Sequence, residues 1–203
     1  MLVVPPEVVM SLVLDPRSTA LVLIDLQKGI LSQPLEPHDV GTVTKNGVAL
    51  AKRFLEKKAP VVGVNVTFSA DYGDTPPKET DSPMQLPPGG IPAGWADLID
   101  EIDSLPGILR VTKRQWGAFF GTELDIQLRR RGISTIVLGG VSTPIGVEQT
   151  AREAWQHNYS VVVVEDACAV GGGDAQIHEH SIKKILPRIS RVRSTADVLA
   201  ALA

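Results

Sequence analysis

The feature that most limits the fold of this chain is a series of short apolar runs that alternates with helical stretches. The runs cover residues 20–25, 60–66, 108–112, 135–141, 160–165 and, more weakly, 189–193. Continuous apolar runs of this length are typical of strands that are buried on both faces. Their alternation with helices predicts parallel βαβ units, and therefore an α/β sandwich whose sheet is covered on both faces.

The helical stretches can be placed from their spacing and from their capping residues. Apolar residues recur at intervals of three and four over residues 40–54, which predicts an amphipathic helix. Thr122 and Asp125 resemble a capping box that opens a further helix, and residues 148–157 are predicted to form another. Asp174 is expected to cap the N-terminus of a last helix.

One long segment, residues 69–94, fits neither pattern. It is rich in proline and glycine and has no clear period. Long loops in compact domains are usually functional or mobile. We interpret this loop as a lid or an oligomer contact.

Composition and length narrow the class of protein. The 203 residues suit one domain, spanning 1–203, and 43% of them are hydrophobic. A net charge of −3 gives no indication of a nucleic-acid partner or an anionic membrane. The one cysteine, Cys168, excludes an intramolecular disulfide and fits a reducing compartment. Residues 1–16 make a poor signal peptide, and no apolar run approaches the roughly 20 residues of a membrane span. We expect a cytoplasmic protein.

Ligands of a parallel sheet bind beyond the carboxyl ends of its strands, so the residues at those ends are the candidates for chemistry. Asp25 and Lys113 each end a predicted strand and could form a proton-transfer pair. The alternative is that Asp25 caps a turn and Lys113 lies on the surface. Residues 142–146 lead from strand to helix, where free amides suit an anion. A plain turn is the alternative there.

Three blocks of sequence resemble the isochorismatase-like hydrolases. Residues 20–27 are similar to that family's strand ending in D-x-Q, and residues 112–122 are similar to its K-x-x-x-[SG]-A-F-x-G-T motif. Residues 136–169 are similar to its strand, turn and helix around G-V-x-T-x-x-C-V-E. The resemblance implies a three-layer α/β/α sandwich with a mostly parallel six-stranded sheet. It also implies a homodimer or larger homo-oligomer.

The resemblance assigns roles to residues of the predicted site. Asp25 and Lys113 would be catalytic, whereas Gly146 occupies the position of the family's nucleophilic cysteine. The resemblance also implies a cis peptide at Val141–Ser142, with the amides of Ser142 and Gly146 as an oxyanion hole. Glycine cannot form an acyl-enzyme, and we expect Cys168 to be a buried structural thiol. The hydroxyls of Ser142 and Thr143 are weak alternatives as nucleophiles.

A substrate pocket is expected around the catalytic pair, and its predicted members are Gln27, Thr67, Trp116, Phe119 and Thr143. Core packing accounts equally well for Trp116 and Phe119. No cofactor and no metal are expected, because His178 and His180 lie two residues apart on a predicted helix and are interpreted as solvated.

Two functions follow as hypotheses. In the first, the chain hydrolyses a small molecule at a vinyl-ether or C–N bond, with Asp25 as general acid or base, Lys113 beside it and no cysteine nucleophile. In the second, it is an inactive relative that binds a small molecule or a protein partner through the same pocket.

Overall fold

A computed structural model describes residues 11–202. The signal-peptide prediction therefore falls largely outside the described residues, and the domain prediction falls partly outside them. The sheet contains strands β1 (Thr19–Ile24), β2 (Leu35–Glu36), β3 (Val61–Val66), β4 (Leu109–Lys113), β5 (Thr135–Val141), β6 (Ser160–Gly171) and β7 (Arg191–Arg193). All six predicted strands form. The two-residue strand β2 was not predicted, because it is too short to show a period.

The strands are ordered β6-β5-β1-β3-β4, and every pair along this path is parallel. The other edge of β6 pairs with two short strands. The first half of β6 pairs parallel with β7, and the end of β6 pairs antiparallel with β2. The first strand therefore lies between β5 and β3. Its C-terminal end faces the ends of both neighbours, which is where the candidate residues were predicted.

Residues 11–202 form six α-helices, of which the last follows the final strand: α1 (Val40–Glu56), α2 (Asp100–Asp103), α3 (Leu124–Arg129), α4 (Glu148–Gln156), α5 (Ala175–His180) and α6 (Thr195–Ala201). Asp174 caps α5 as predicted, since its side chain accepts a hydrogen bond from the Ile177 amide. The predicted capping box at α3 does not form. The Thr122 hydroxyl accepts from the Leu124 amide instead, and Asp125 pairs with side chains away from the helix start. None of the helices within residues 11–202 is long and apolar enough to cross a membrane.

The core lies on both faces of the sheet, which confirms the three-layer α/β sandwich. Along β1, Leu21 and Leu23 pack into the core beneath α1 and α6. Ala20, Val22 and Ile24 pack into the opposite core, beneath α3 and α4. All of these residues are fully buried. A strand covered on both faces cannot show an alternating pattern, which explains the continuous apolar run in the sequence.

Gly140 shapes the carboxyl end of the sheet. Its φ is +124°, and a Cβ there would lie 2.0 Å from the backbone oxygen of Ile24. The register between β5 and β6 also shifts between Leu138 and Gly140. Only glycine fits this close approach. It brings the end of β5, and the turn that follows it, against the end of β1.

Candidate active site

Asp25 and Lys113 form an ion pair at the carboxyl end of the sheet. Asp25 follows β1 directly, with φ at +53°, and its amide donates to the carbonyl of Val64. Lys113 is the last residue of β4. Its Nζ lies 2.8 Å from Asp25 Oδ2, and both residues are buried, at 2% and 4% exposure. The alternative interpretation, a capping aspartate and a surface lysine, is therefore wrong.

Burial and charge act on Asp25 in opposite directions. Removal from water is the larger effect and raises the pKa of Asp25 to about 6, whereas the charge of Lys113 opposes this rise. The Lys113 ammonium also donates to the backbone oxygen of Gln115 at 3.1 Å. Asp25 Oδ1 is buried, and no group among residues 11–202 hydrogen-bonds to it. The carboxyl can therefore hold a proton near neutral pH while one of its oxygens is unpartnered.

The turn after β5 brings Gly146 to this pair. Residues Thr143–Val147 form a single π-helical turn that leads into α4. A Cβ at position 146 would lie 2.9 Å from Ile24 Cγ2, 3.3 Å from Asp25 Oδ2 and 3.6 Å from Lys113 Nζ. A side chain at this position would thus be the third member of a cluster with Asp25 and Lys113.

The turn begins at a cis peptide bond between Val141 and Ser142. The Ser142 Oγ atom is buried and, within the part of the chain that the structure describes, has no hydrogen-bond partner. Ser142 and Asp25 line the same cavity. Two buried polar atoms without a partner thus belong to residues that line one cavity, and such atoms are rare in folded proteins.

That cavity has a volume of about 680 Å³, within the range of small-molecule sites. Asp25, Lys113, Ser142 and Gly146 supply its polar and reactive end. Its walls are mostly apolar side chains, among them Ile30, Phe68, Met84, Trp116, Ile145 and Ile177. Large apolar side chains such as Trp116, which is 61% exposed, are left partly open to solvent at this cavity.

The irregular loop 69–94 forms one wall of this cavity. Pro76, Pro77 and Met84 line it. The loop is joined to the end of β4 by Arg114, whose Nε lies 2.6 Å from Asp74 Oδ2. A lid has to lie against the cavity that it covers, and the loop lies there. A role of the loop in subunit contact stays a prediction.

Of the five residues predicted for the substrate pocket, Trp116 lines the cavity and four do not. Gln27 is fully buried, and its amide accepts from the Val66 amide at 2.8 Å and donates to the carbonyls of Val66 and Trp95. It therefore joins β3 to the segment before α2. Gln27 does not line the cavity, and the backbone already satisfies its hydrogen-bonding groups, so its contact with substrate stays a prediction.

The other three lie elsewhere for reasons of packing. Thr67 lines a separate, smaller cavity of about 230 Å³. Phe119 is buried and packs against the ring of Tyr159. Thr143 is fully buried, and its hydroxyl lies 2.8 Å from Nδ1 of His178. These three residues do not line the cavity either, and their contact with substrate stays a prediction.

The interpretation of His178 as solvated is also wrong, since this residue is 3% exposed. Its ring lies near His38 and Glu165, and these three side chains form a cluster that could hold a metal ion. The sequence did not predict this cluster, because its members lie far apart along the chain. His180, which was expected to be solvated, is exposed.

The sequence did not predict most of the residues that form the cavity walls. Phe68 could have been found, because it follows β3 much as Asp25 follows β1. Met84 gave no signal, since it lies in a loop with no period. Ile145 and Ile177 are partly exposed apolar residues near turns, a property that only the structure reveals.

Comparisons with a family model, with protein sequences and with solved structures all find isochorismatase-like proteins. Residues 19–197 match the model of the isochorismatase domain. The isochorismatase family protein YecD of Escherichia coli O157:H7 is 44% identical over 189 residues, which cover 93% of this chain and 98% of that protein. Ureidoacrylate amidohydrolase RutB of Cronobacter turicensis is 32% identical over 186 residues, which cover 80% of this chain and 79% of that protein. The structure of an isochorismatase family protein from Burkholderia thailandensis superposes with a TM-score of 0.87 at 42% identity, covering 95% of this chain and 99% of that chain.

Proposed function

Because the chain belongs to the isochorismatase family, whose members include hydrolases, we propose that it hydrolyses a small molecule without a cysteine nucleophile, using Asp25 as the proton donor and acceptor. The observation that carries this proposal is the buried pair of Asp25 and Lys113 at the closed end of the cavity, with glycine at position 146 beside it.

The pair has the properties of an acid–base catalyst. A carboxyl group works best as a general acid when its pKa is near the working pH. Burial raises the pKa of Asp25 to about 6, so a substantial fraction is protonated in mildly acidic solution. Lys113, 2.8 Å away, stabilises the carboxylate that remains after the proton has left. Asp25 would therefore donate the proton, and Lys113 would orient it and hold charge.

Thiol chemistry has no evident source at this site. Position 146 carries no side chain, and the thiol of Cys168 is fully buried in the core against β5 and does not line the cavity. Burial also raises the pKa of Cys168 well above its usual range, which disfavours the thiolate. An attacking group would then be water, which the carboxylate of Asp25 can activate.

A vinyl ether is the substrate class that this arrangement suits best. Asp25 would donate its proton to the terminal carbon of the vinyl group, which leaves an oxocarbenium ion on the ether carbon. Water would then add to that carbon and return a proton to the Asp25 carboxylate. The hemiketal formed would collapse to a carbonyl compound and an alcohol.

The cavity also favours a substrate with little negative charge. The two cations that line it among the described residues, Lys113 and Arg114, are paired with Asp25 and Asp74. Its walls are mostly apolar. The alternative bond is C–N, because RutB is named as an amidohydrolase. On this site a C–N bond would be cleaved by direct attack of activated water.

A substrate screen tests the proposal. Vinyl ethers, amides and ureas would be offered to the wild-type protein, to Asp25→Asn and to the matched control Asp100→Asn, whose carboxylate is exposed at the surface. We expect turnover that falls by about 100-fold or more in Asp25→Asn and is unchanged in the control. Turnover that survives Asp25→Asn would refute the proposed role of Asp25. Binding without any turnover would instead support the hypothesis of an inactive relative.

A second experiment asks what position 146 contributes. Gly146→Cys would place a thiol beside Asp25, and Gly146→Ala is the control for added bulk alone. If the scaffold retains amidase geometry, Gly146→Cys should acquire hydrolysis of activated esters or amides that iodoacetamide abolishes. Equal activity in both variants would show that a thiol at this position has no access to a carbonyl.

A further inference from the structure

Outside the cavity, three side chains from separate parts of the fold meet at one point. His38 lies between β2 and α1, Glu165 lies within β6, and His178 lies on α5. His38 Nε2 is 2.8 Å from Glu165 Oε1, and His178 Nε2 is 3.5 Å from the same oxygen. One ligand atom from each residue lies within 4.8 Å of the other two. None of the three lines the cavity that holds Asp25.

His178 has the features of a ligand that is held in place for a metal. Its ring is 3% exposed, and its Nδ1 lies 2.8 Å from the hydroxyl of Thr143. Its other nitrogen, Nε2, is buried, faces the cluster and finds no hydrogen-bond partner among the residues described. Ligating histidines commonly use one nitrogen for the metal, while a hydrogen bond to the other fixes the ring.

A hydrogen-bond network alone does not account for this arrangement. A distance of 3.5 Å from His178 Nε2 to Glu165 Oε1 is too long for a normal hydrogen bond. Buried polar atoms rarely remain without a partner. An ion between the three groups would satisfy His178 Nε2 and would also use the oxygen that His38 contacts.

We propose that His38, Glu165 and His178 bind one divalent transition-metal ion of the zinc class. Two histidines and one carboxylate form a known zinc ligand set. Zn–N and Zn–O distances of about 2.0 to 2.2 Å in a tetrahedron place the ligand atoms roughly 3.3 to 3.6 Å apart. The two separations that Glu165 Oε1 makes, 2.8 and 3.5 Å, require only a small adjustment to reach this range.

The site is open to a fourth ligand and to entry of the ion. The side chains of His38 and Glu165 are 25% and 35% exposed, so water can reach the position opposite buried His178. The ion would join the β2–α1 connection, β6 and α5. Through the hydrogen bond between His178 and Thr143, it would also brace the turn that carries Gly146. On this geometry the role of the ion is to hold the turn in place.

Metal binding can be measured without any substrate, so the result is independent of the proposed hydrolase activity. Protein without a histidine tag would be stripped with EDTA and titrated with CoCl₂ and ZnCl₂. We expect one equivalent of cobalt with the visible absorption of a four- or five-coordinate ion, and no thiolate-to-cobalt band, because Cys168 is not a ligand. Zinc should displace the cobalt.

Variants identify the ligands. We expect His38→Asn, Glu165→Gln and His178→Ala each to weaken zinc binding by about 100-fold or more, and Thr143→Val to weaken it by about 10- to 100-fold. The control His180→Ala removes an exposed imidazole from the same helix and should bind like the wild type.

Three results would overturn the proposal: uptake well below one equivalent, equal binding by the ligand variants, or loss of binding in His180→Ala alone. Circular dichroism would establish that each variant is folded. The near-isosteric Glu165→Gln identifies the site where the histidine variants do not fold, and uptake well below one equivalent by the wild type refutes the proposal without any variant.

Discussion

Gly146→Ala probes how tightly the turn packs against the ion pair of Asp25 and Lys113. The new Cβ would lie 2.9 Å from Ile24 Cγ2, which is closer than a methyl–methyl contact allows. Ile24 is fully buried, and its Cγ2 is attached directly to its Cβ, so this methyl cannot swing aside freely. The backbone of the turn, or the end of β1, must move instead.

The expected magnitude comes from two opposing effects. Overpacking of a filled core costs about 1 to 3 kcal/mol. Replacement of glycine by alanine within a helix restores about 0.5 to 1 kcal/mol. We therefore expect Gly146→Ala to lower the free energy of unfolding by roughly 1 to 2 kcal/mol, measured by urea denaturation.

A double-mutant cycle isolates the cause. Ile24→Ala removes the methyl that the new Cβ meets, at its own cost of about 2 to 5 kcal/mol. In that background, Gly146→Ala should lose its penalty or become stabilising. Gly41→Ala is the matched control, because a Cβ at this position in α1 meets nothing closer than 3.4 Å. It should stabilise in both backgrounds. An equal penalty for Gly146→Ala with and without Ile24 would refute the steric explanation.

Three further changes test the walls of the site and its supports. Trp116→Ala should raise KM more than it lowers kcat, because this exposed ring lines the cavity and is not part of the Asp25–Lys113 ion pair; steady-state kinetics on a substrate from the screen would show an unchanged KM if this is wrong. Arg114→Ala removes the ion pair that joins the loop to β4, so amide hydrogen exchange should become faster in residues 69–94; unchanged exchange would contradict the anchoring role. Gln27→Ala leaves the partly buried amide of Val66 without its side-chain acceptor and should lower the free energy of unfolding in urea by about 1 to 3 kcal/mol. The turnover of the folded variant should be unchanged, and a large fall in turnover would show that Gln27 contacts substrate.

Much of the architecture follows from the apolar runs. A strand buried on both faces must be apolar throughout, so β1, β3 and β5 were predictable at their observed positions within a residue or two. The two-residue strand β2 could not be found in this way. It exists because the end of β6 extends to Gly171 and offers an unpaired edge, which is a property of the assembled sheet.

The ion pair of Asp25 and Lys113 was predictable for a topological reason. Both residues end parallel strands, and the carboxyl ends of such strands lie at one edge of the sheet. The substrate pocket was not predictable in the same way. Proximity in sequence suggested Gln27, although its amide is satisfied by the backbone, and Thr143, although its hydroxyl contacts His178. The direction and partners of a side chain depend on tertiary packing.

The same reason explains the histidines. Spacing along α5 placed His178 and His180 on different faces, which is the arrangement observed. It did not reveal that one of these faces packs against β6 near Glu165. Contacts between residues more than 100 positions apart, such as His38 and Glu165, leave no local pattern in a single sequence.

The most direct test of the central claim, that Asp25 supplies the proton, is an NMR titration of its side-chain carboxyl in protein labelled with ¹³C at aspartate. The ordinary pKa of aspartate is about 4, and burial raises that of Asp25 to about 6. Below this value the carboxyl is protonated, so turnover that uses Asp25 as an acid is retained at low pH and lost as the pH rises through about 6. The folded protein holds this proton more tightly than the unfolded chain does. Asp25 therefore lowers the free energy of unfolding as the pH rises from about 4, the ordinary pKa, through about 6, the pKa in the folded protein. We predict a titration near 6 that disappears in Asp25→Asn. A carboxyl that titrates at or below about 4 would contradict the account, since it would have almost no proton to donate near neutral pH.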